Sequence, residues 1–159
     1  MKIKVICIGS LKESYWREAE KEYLKRINPY CQITIEEYPD LPTPDGASPA
    51  IEESIKAKEA DKILAKLKPS EFVCTLDLNK KEPDSVELSA QLENMMRRGG
   101  SSVTFIIGGS LGLSESLRAR ANASISLSKL TFTHQMTRII LLEQIYRSFK
   151  ILNHEPYHK

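Results

Sequence analysis

SVTFIIGGSLGL (Ser102–Leu113) joins the most hydrophobic run of the chain to a glycine-rich turn. Val103–Ile107 is aliphatic and aromatic with little polar alternation, the pattern of a strand covered on both faces. Such strands belong to parallel sheets with helices above and below. The glycines that follow, Gly108, Gly109 and Gly112, permit left-handed backbone and a close approach by a ligand. In open sheets of this kind, ligands bind at the carboxyl ends of the strands. The turn therefore points to both the fold class and the end of the sheet where chemistry belongs.

Reading outward, Ile3–Ile8 is a strand ending at Gly9-Ser10. Glu13–Ile27 repeats Trp16, Ala19, Tyr23 and Ile27 at helical spacing until Asn28-Pro29 stops it. Gln32–Tyr38 is a second strand, and the prolines of Pro39–Gly46 make a linker or surface loop. Ile51–Leu67 reads as a helix burying Ile55, Ile63, Leu64 and Leu67, and Phe72–Leu76 as a strand ending at Asp77. Ser85–Arg98 is an amphipathic helix stopped by Gly99-Gly100. After the glycine turn come a short helix (Ser114–Arg120), a short strand (Ile125–Ser128) and a last helix from about His134 to Ile151. Strands alternate with helices, so the expected fold is α/β with a largely parallel sheet of about five strands. The apolar residues of the last helix cover well over half its circumference. Either a second subunit or a central position in the core accounts for that.

A length of 159 residues fits one domain, 1–159. A net charge of +2 gives no global argument for nucleic acid, so an RNA-binding reading rests on where basic groups cluster. No stretch approaches the ~20 apolar residues that cross a bilayer, and MKIKVICIGS lacks a secretory core, so no membrane association is expected. Cys7, Cys31 and Cys74 are isolated, without metal spacing or a disulfide framework. They read as buried thiols of a cytoplasmic protein.

Three strand ends are candidate binding positions: Leu76-Asp77-Leu78, Ile107-Gly108-Gly109, and Ser128 to Phe132. The glycine turn lacks the lysine of a P-loop and follows a late strand, unlike a dinucleotide fingerprint. It suits a neutral or zwitterionic ligand gripped by backbone, with Leu76, Leu111, Leu113, Leu127, Leu130 and Phe132 as walls; the same leucines also suit an ordinary core. His134 and Arg138 share a helix face, where an RNA phosphate would suit Arg138. Five basic residues (Lys129, Arg138, Arg147, Lys150, Lys159) face only Glu143 and Glu155 between Lys129 and the last residue. The tail Asn153–Lys159 packs His154, Tyr157, His158 and Lys159 around Pro156. It reads either as a loose end or as a segment that folds over a ligand.

Leu76, Ile107-Gly108-Gly109, Leu127–Phe132, His134-Gln135 with Arg138, Glu143–Arg147 and the closing His154…Tyr157-His158-Lys159 together resemble one family. It is the small bacterial SPOUT class that methylates N3 of a pseudouridine in 23S ribosomal RNA, and the resemblance spans the whole chain. It implies an α/β-knot fold, a parallel sheet flanked by helices, with a C-terminal trefoil knot over approximately 72–159. It implies S-adenosyl-L-methionine as cofactor, held by Leu76, Gly108, Gly109, Leu127, Ser128, Lys129, Leu130, Thr131 and Phe132. It also implies a homodimer acting on the assembled ribosome without a metal, and a partner chain's terminus closing each site. Tyr157, His158, Arg138 and Lys159 are then the expected catalytic group. The competing class is a non-enzymatic ribosome-associated RNA-binding factor, which would carry the same basic patch without the cofactor.

Overall fold

In the computed structural model, which describes residues 1–159, five strands and five helices alternate. They are β1 (Lys2–Ile8), α1 (Ser14–Ile27), β2 (Gln32–Tyr38), α2 (Pro49–Leu64), β3 (Val73–Leu76), α3 (Ser85–Arg98), β4 (Ser102–Ile107), α4 (Glu115–Arg120), β5 (Ala123–Ile125) and α5 (His134–Leu152). All strand pairs are parallel, in the order β2-β1-β4-β3-β5. The α/β expectation holds.

The central position of β1 and β4 explains their composition. Ile3, Val5, Cys7, Val103, Phe105 and Ile107 face one layer, while Ile6, Ile8 and Ile106 face the other. The first layer holds α1, α3 and α5. Its core joins those strand residues to Ile27, Leu92, Met95, Leu142, Ile145 and Phe149. The second, smaller core uses Ala60 and Ile63 of α2 with Leu113 and with Leu117 of α4. Helix α5 packs between α1 and α3, which accounts for its buried Leu141, Leu142, Ile145 and Phe149. Ile139, Ile140 and Tyr146 stay only partly covered. The central-core reading thus explains part of that helix's apolar surface and leaves a remainder.

Boundaries move where side chains compete with the ladder. The last strand is Ala123–Ile125, not Ile125–Ser128. Thr75 and Ser124 hydroxyls meet at 2.7 Å and fix its register beside β3. At Ser126 the backbone leaves the sheet: its amide donates to Lys81 O (3.0 Å) and its hydroxyl to Ser128 O (3.0 Å). Residues 126–133 are therefore loop. Helix α2 starts two residues before Ile51, because Ser48 accepts from the Ile51 amide and Pro49 suits the first helical position. The three cysteines are buried, as expected. Burial pushes the Cys7 and Cys74 thiols up to about 12 and that of Cys31 to about 11. They are neutral packing groups at physiological pH.

Candidate active site

The carboxyl ends of β3, β4 and β5 open into a cleft of about 1020 Å³. Leu76, Gly108, Gly109, Leu127, Ser128, Leu130, Thr131 and Phe132 all line it. Lys129 is exposed and lies off the lining. Three segments far apart in sequence thus converge as the strand-end reading expected.

Backbone shapes the cleft. The Gly112 amide donates to Gly109 O at 3.0 Å, closing the glycine turn, and Gly112 is left-handed at φ +83. A Cβ on Gly108 would lie 2.9 Å from the Gly112 carbonyl carbon, so the two limbs touch through bare backbone. The amides of Gly108, Ser110 and Leu111 donate to no backbone acceptor, nor do those of Leu127, Ser128, Thr131 and Phe132. A cleft walled by leucines and edged with free amides can read a purine or similar heterocycle through backbone groups.

One rim is a charged clamp that the sequence reading missed. Arg118 Nε donates to Asp77 Oδ2 at 2.7 Å and Nη2 to Oδ1 at 3.3 Å, while Nη1 reaches Glu115 Oε1 at 2.7 Å. These bonds, that to Asp77 first, raise the Arg118 pKa. Asp77 at the tip of β3 and a basic residue in the last turn of α4 were both visible. Their meeting depends on the crossover that sets β3 between β4 and β5.

At the opposite end, His134 and Thr137 line the cleft while their helix is tethered to the loop after β1. His134 Nε2 lies 3.4 Å from Ser10 O, and Gln135 Oε1 accepts from the Lys12 amide at 3.2 Å. Arg138 shares that helix face but is 1% exposed. It donates to Glu37 (2.9 Å), Glu20 (3.1 Å) and Gly9 O (3.0 Å). Burial pulls its pKa down, but Cys7 and the carboxylates of Glu37 and Glu20 push it up, and the balance is upward. Within one chain its charge is satisfied internally, away from any approaching phosphate.

The tail forms a second cluster. Tyr157 donates to Glu143 Oε1 at 3.2 Å and sets its ring edge-on against Tyr146, with Arg147 4.7 Å from its centroid. Arg147 also binds Glu143 at 2.7 Å, and its Nη1 lies 3.3 Å from His158 Nδ1. Lys159 is exposed. The stretch Glu143–Arg147 lies about 9–15 Å along α5 from Thr137, at 1.5 Å per residue. Cleft and tail of one chain are therefore separate groups. The basic patch also shrinks, since Arg138, Arg147 and Lys150 are each paired with carboxylates. Lys129 and Lys159 remain of the five.

A parallel α/β sheet whose strand tips frame a backbone-edged cleft has the build of a cofactor-binding domain. A family profile described as "Predicted SPOUT methyltransferase" matches residues 1–158. The chain belongs to that family, whose enzymes draw their methyl group from S-adenosylmethionine. Among its relatives, a protein of Desulforamulus reducens named ribosomal RNA large subunit methyltransferase H is 50% identical over 159 residues, covering 100% of this chain and 99% of that one. One of the same name from Clostridium botulinum is 52% identical over all of both chains. The solved structure of a probable methylase family protein from Haemophilus influenzae superposes with a TM-score of 0.56 at 9% identity, over 99% of this chain and 70% of that one. That likeness concerns the fold alone.

The cleft fits the family's cofactor. Free amides at Gly108, Ser110, Leu111, Leu127, Ser128, Thr131 and Phe132 suit an adenine edge, and Leu76, Leu111, Leu127 and Leu130 suit its faces. No cluster of three metal-ligating side chains forms anywhere in the chain, and no helix is long and apolar enough to cross a membrane.

Proposed function

We propose that this protein methylates N3 of a pseudouridine in large-subunit ribosomal RNA of the assembled ribosome, as a single-domain homodimer knotted over roughly residues 72–159. Ribosomal work sets it in the cytoplasm. The carrying observation is the division of one chain into a cofactor cleft without a tail and a polar tail without a cleft. Two copies facing each other supply each cleft with the other's Tyr157, His158 and Lys159. The partly covered Ile139, Ile140 and Tyr146 on α5 offer apolar surface for that pairing. The names of the full-length relatives support ribosomal RNA as substrate, and the resemblance of the C-terminal motifs supports the pseudouridine nitrogen.

S-adenosylmethionine supplies an electrophilic methyl group; the chain must orient the base and manage the N3 proton. Burial, with Glu143 close by, raises the Tyr157 pKa, so its phenol stays protonated at neutral pH. Its single O–H is already given to Glu143, so Tyr157 meets the base through its ring. Because Nδ1 of His158 accepts from Arg147, Nε2 is the ring nitrogen that carries a proton and can donate. As N3 gives its proton to solvent water, charge spreads onto the flanking carbonyl oxygens. The Nε2–H of His158 and the Lys159 ammonium stabilise it.

The test uses ribosomes from cells lacking this gene, purified protein and S-adenosylmethionine labelled in the methyl group, followed by mass mapping of the RNA. One added methyl on a pseudouridine is expected, on ribosomes and not on naked RNA. Methylation elsewhere, or none, defeats the reading.

A further inference from the structure

The tail departs from α5 through a specific backbone device. His154 is left-handed (φ 55); its amide donates to Ile151 O at 3.1 Å, and the Glu155 amide to Lys150 O at 2.9 Å. These two bonds form the Schellman termination, with histidine in the place glycine usually holds. They deliver the Glu155 side chain back over the last turn of α5. There its carboxylate accepts from Tyr30 Oη at 2.7 Å and from Lys150 Nζ at 2.5 Å.

Tyr30 is not a loose partner. It lies between α1 and β2, 125 positions from Glu155. Its ring stacks on Phe149 at 5.4 Å with 8° between planes, and meets Tyr146 edge-on at 6.3 Å. Lys150 Nζ sits over both tyrosine rings, at 5.6 and 5.5 Å. The Tyr30 hydroxyl is thus fixed by aromatic packing, and Lys150 by two ring faces. An exposed ion pair alone contributes little because both side chains wander. Here neither partner of Glu155 is free to. The same Tyr146 ring receives Tyr157, so Phe149, Tyr30, Tyr146 and Tyr157 make one aromatic chain from the body of the protein to its terminus.

We infer that Glu155, gripped by Tyr30 and Lys150, is a positioning residue that presets the pose of Tyr157 and His158 before any ligand arrives. It touches neither cofactor nor RNA in this scheme and acts through the tail's geometry. The inference rests on the functional reading above, in which the tail meets the target base. A misplacement of about 1 Å at a reacting group can cost about a hundredfold in rate, so a preset tail has a measurable value. Lys150 and Tyr30 also hold the Glu155 pKa down, which keeps the carboxylate charged at physiological pH.

Full-length Glu155→Ala, Glu155→Gln and Tyr30→Phe separate the possibilities. Each is assayed for kcat and for the S-adenosylmethionine KM on ribosomes, for Tm, and for hydrogen exchange of the amides from Asn153 to His158. Expected are a kcat loss of about tenfold for Glu155→Ala and smaller losses for Tyr30→Phe and Glu155→Gln, which keep part of the contact. KM and Tm stay near wild type while exchange accelerates only in the tail. Wild-type kcat in all three variants, or losses that track a falling Tm, overturns the inference. Inactive wild-type protein on ribosomes overturns the functional reading and this inference with it. Active wild type beside unimpaired variants overturns the inference alone.

Discussion

Arg138 lies between Glu20 and Glu37 with both carboxylates and Gly9 O in contact, so its charge is met within its own chain. Its buried Nε has no partner, a local cost that the three contacts must offset. Replacing it with glutamine leaves two carboxylates facing each other without a cation. Because Glu37 is about half exposed, we expect a loss of about 2–3 kcal/mol, below the cost of breaking a fully buried pair. Urea denaturation measures it. The salt dependence of RNA binding should not change in Arg138→Gln, whereas Lys159→Gln should lower its slope by about 1. Unchanged stability with a reduced slope would return Arg138 to the RNA surface. The glycine turn gives a second contrast at this scale. Gly108→Ala drives a Cβ against the Gly112 backbone, while the same change at Gly112 meets nothing within 4 Å and suffers only its φ of +83. Calorimetry should show S-adenosylmethionine affinity falling at least about tenfold for Gly108→Ala. Gly112→Ala should cost about 1–2 kcal/mol of stability with a milder effect on binding.

Among the elements, α3 and α5 begin with equivalent caps in different settings. Asp84 accepts from the Glu87 amide at 2.7 Å, and the Glu87 carboxylate in turn accepts from the Asp84 amide at 3.1 Å. Thr133 accepts from the Met136 amide at 3.3 Å, and it also lines the cleft. Alanine at either position should lower stability by about 1 kcal/mol. Only Thr133→Ala should also weaken cofactor binding, by tilting the start of α5 and the loop before it; equal binding losses in both variants would contradict this. The elements themselves were largely legible, because β1, β2, β4, α3 and α5 carry long, clean periodicities. Val103–Ile107 in particular announced a central parallel strand. β5 was misplaced because a three-residue strand has too little pattern to outweigh the apolar Leu127 beyond it. What stayed hidden depends on contacts between distant segments: the Arg118 clamp on Asp77, the internal pairing of Arg138, and the grip of Tyr30 on Glu155. Charge spacing along one chain shows a basic stretch between Lys129 and Lys159. It cannot show that three of those five cations already have partners supplied by α1, β2, α5 and the tail.

For the whole molecule, the decisive geometry is the gap between each cleft and its own terminus. A tail anchored at Glu143, Arg147 and Tyr146 cannot also lie over the Gly108 turn unless it releases those contacts. A symmetric pair removes the conflict, because isologous contact brings the same two regions together twice. Two inactive chains should then repair each other. One carries a cleft disabled by Gly108→Val and an intact tail; the other has an intact cleft and lacks Tyr157–Lys159. In a dimer of one of each, one site joins the good cleft to the good tail and the other joins the two defects. Random assembly makes half of all dimers mixed, so co-expression should restore about a quarter of wild-type activity. Purification through tags on both chains should raise that to about half. Each variant alone should remain inactive yet dimeric by light scattering, with the truncated chain still binding S-adenosylmethionine. If the mixed dimers are as dead as their parents, each cleft is served by its own tail. The anchoring contacts at Glu143 and Tyr146 must then open during every turnover.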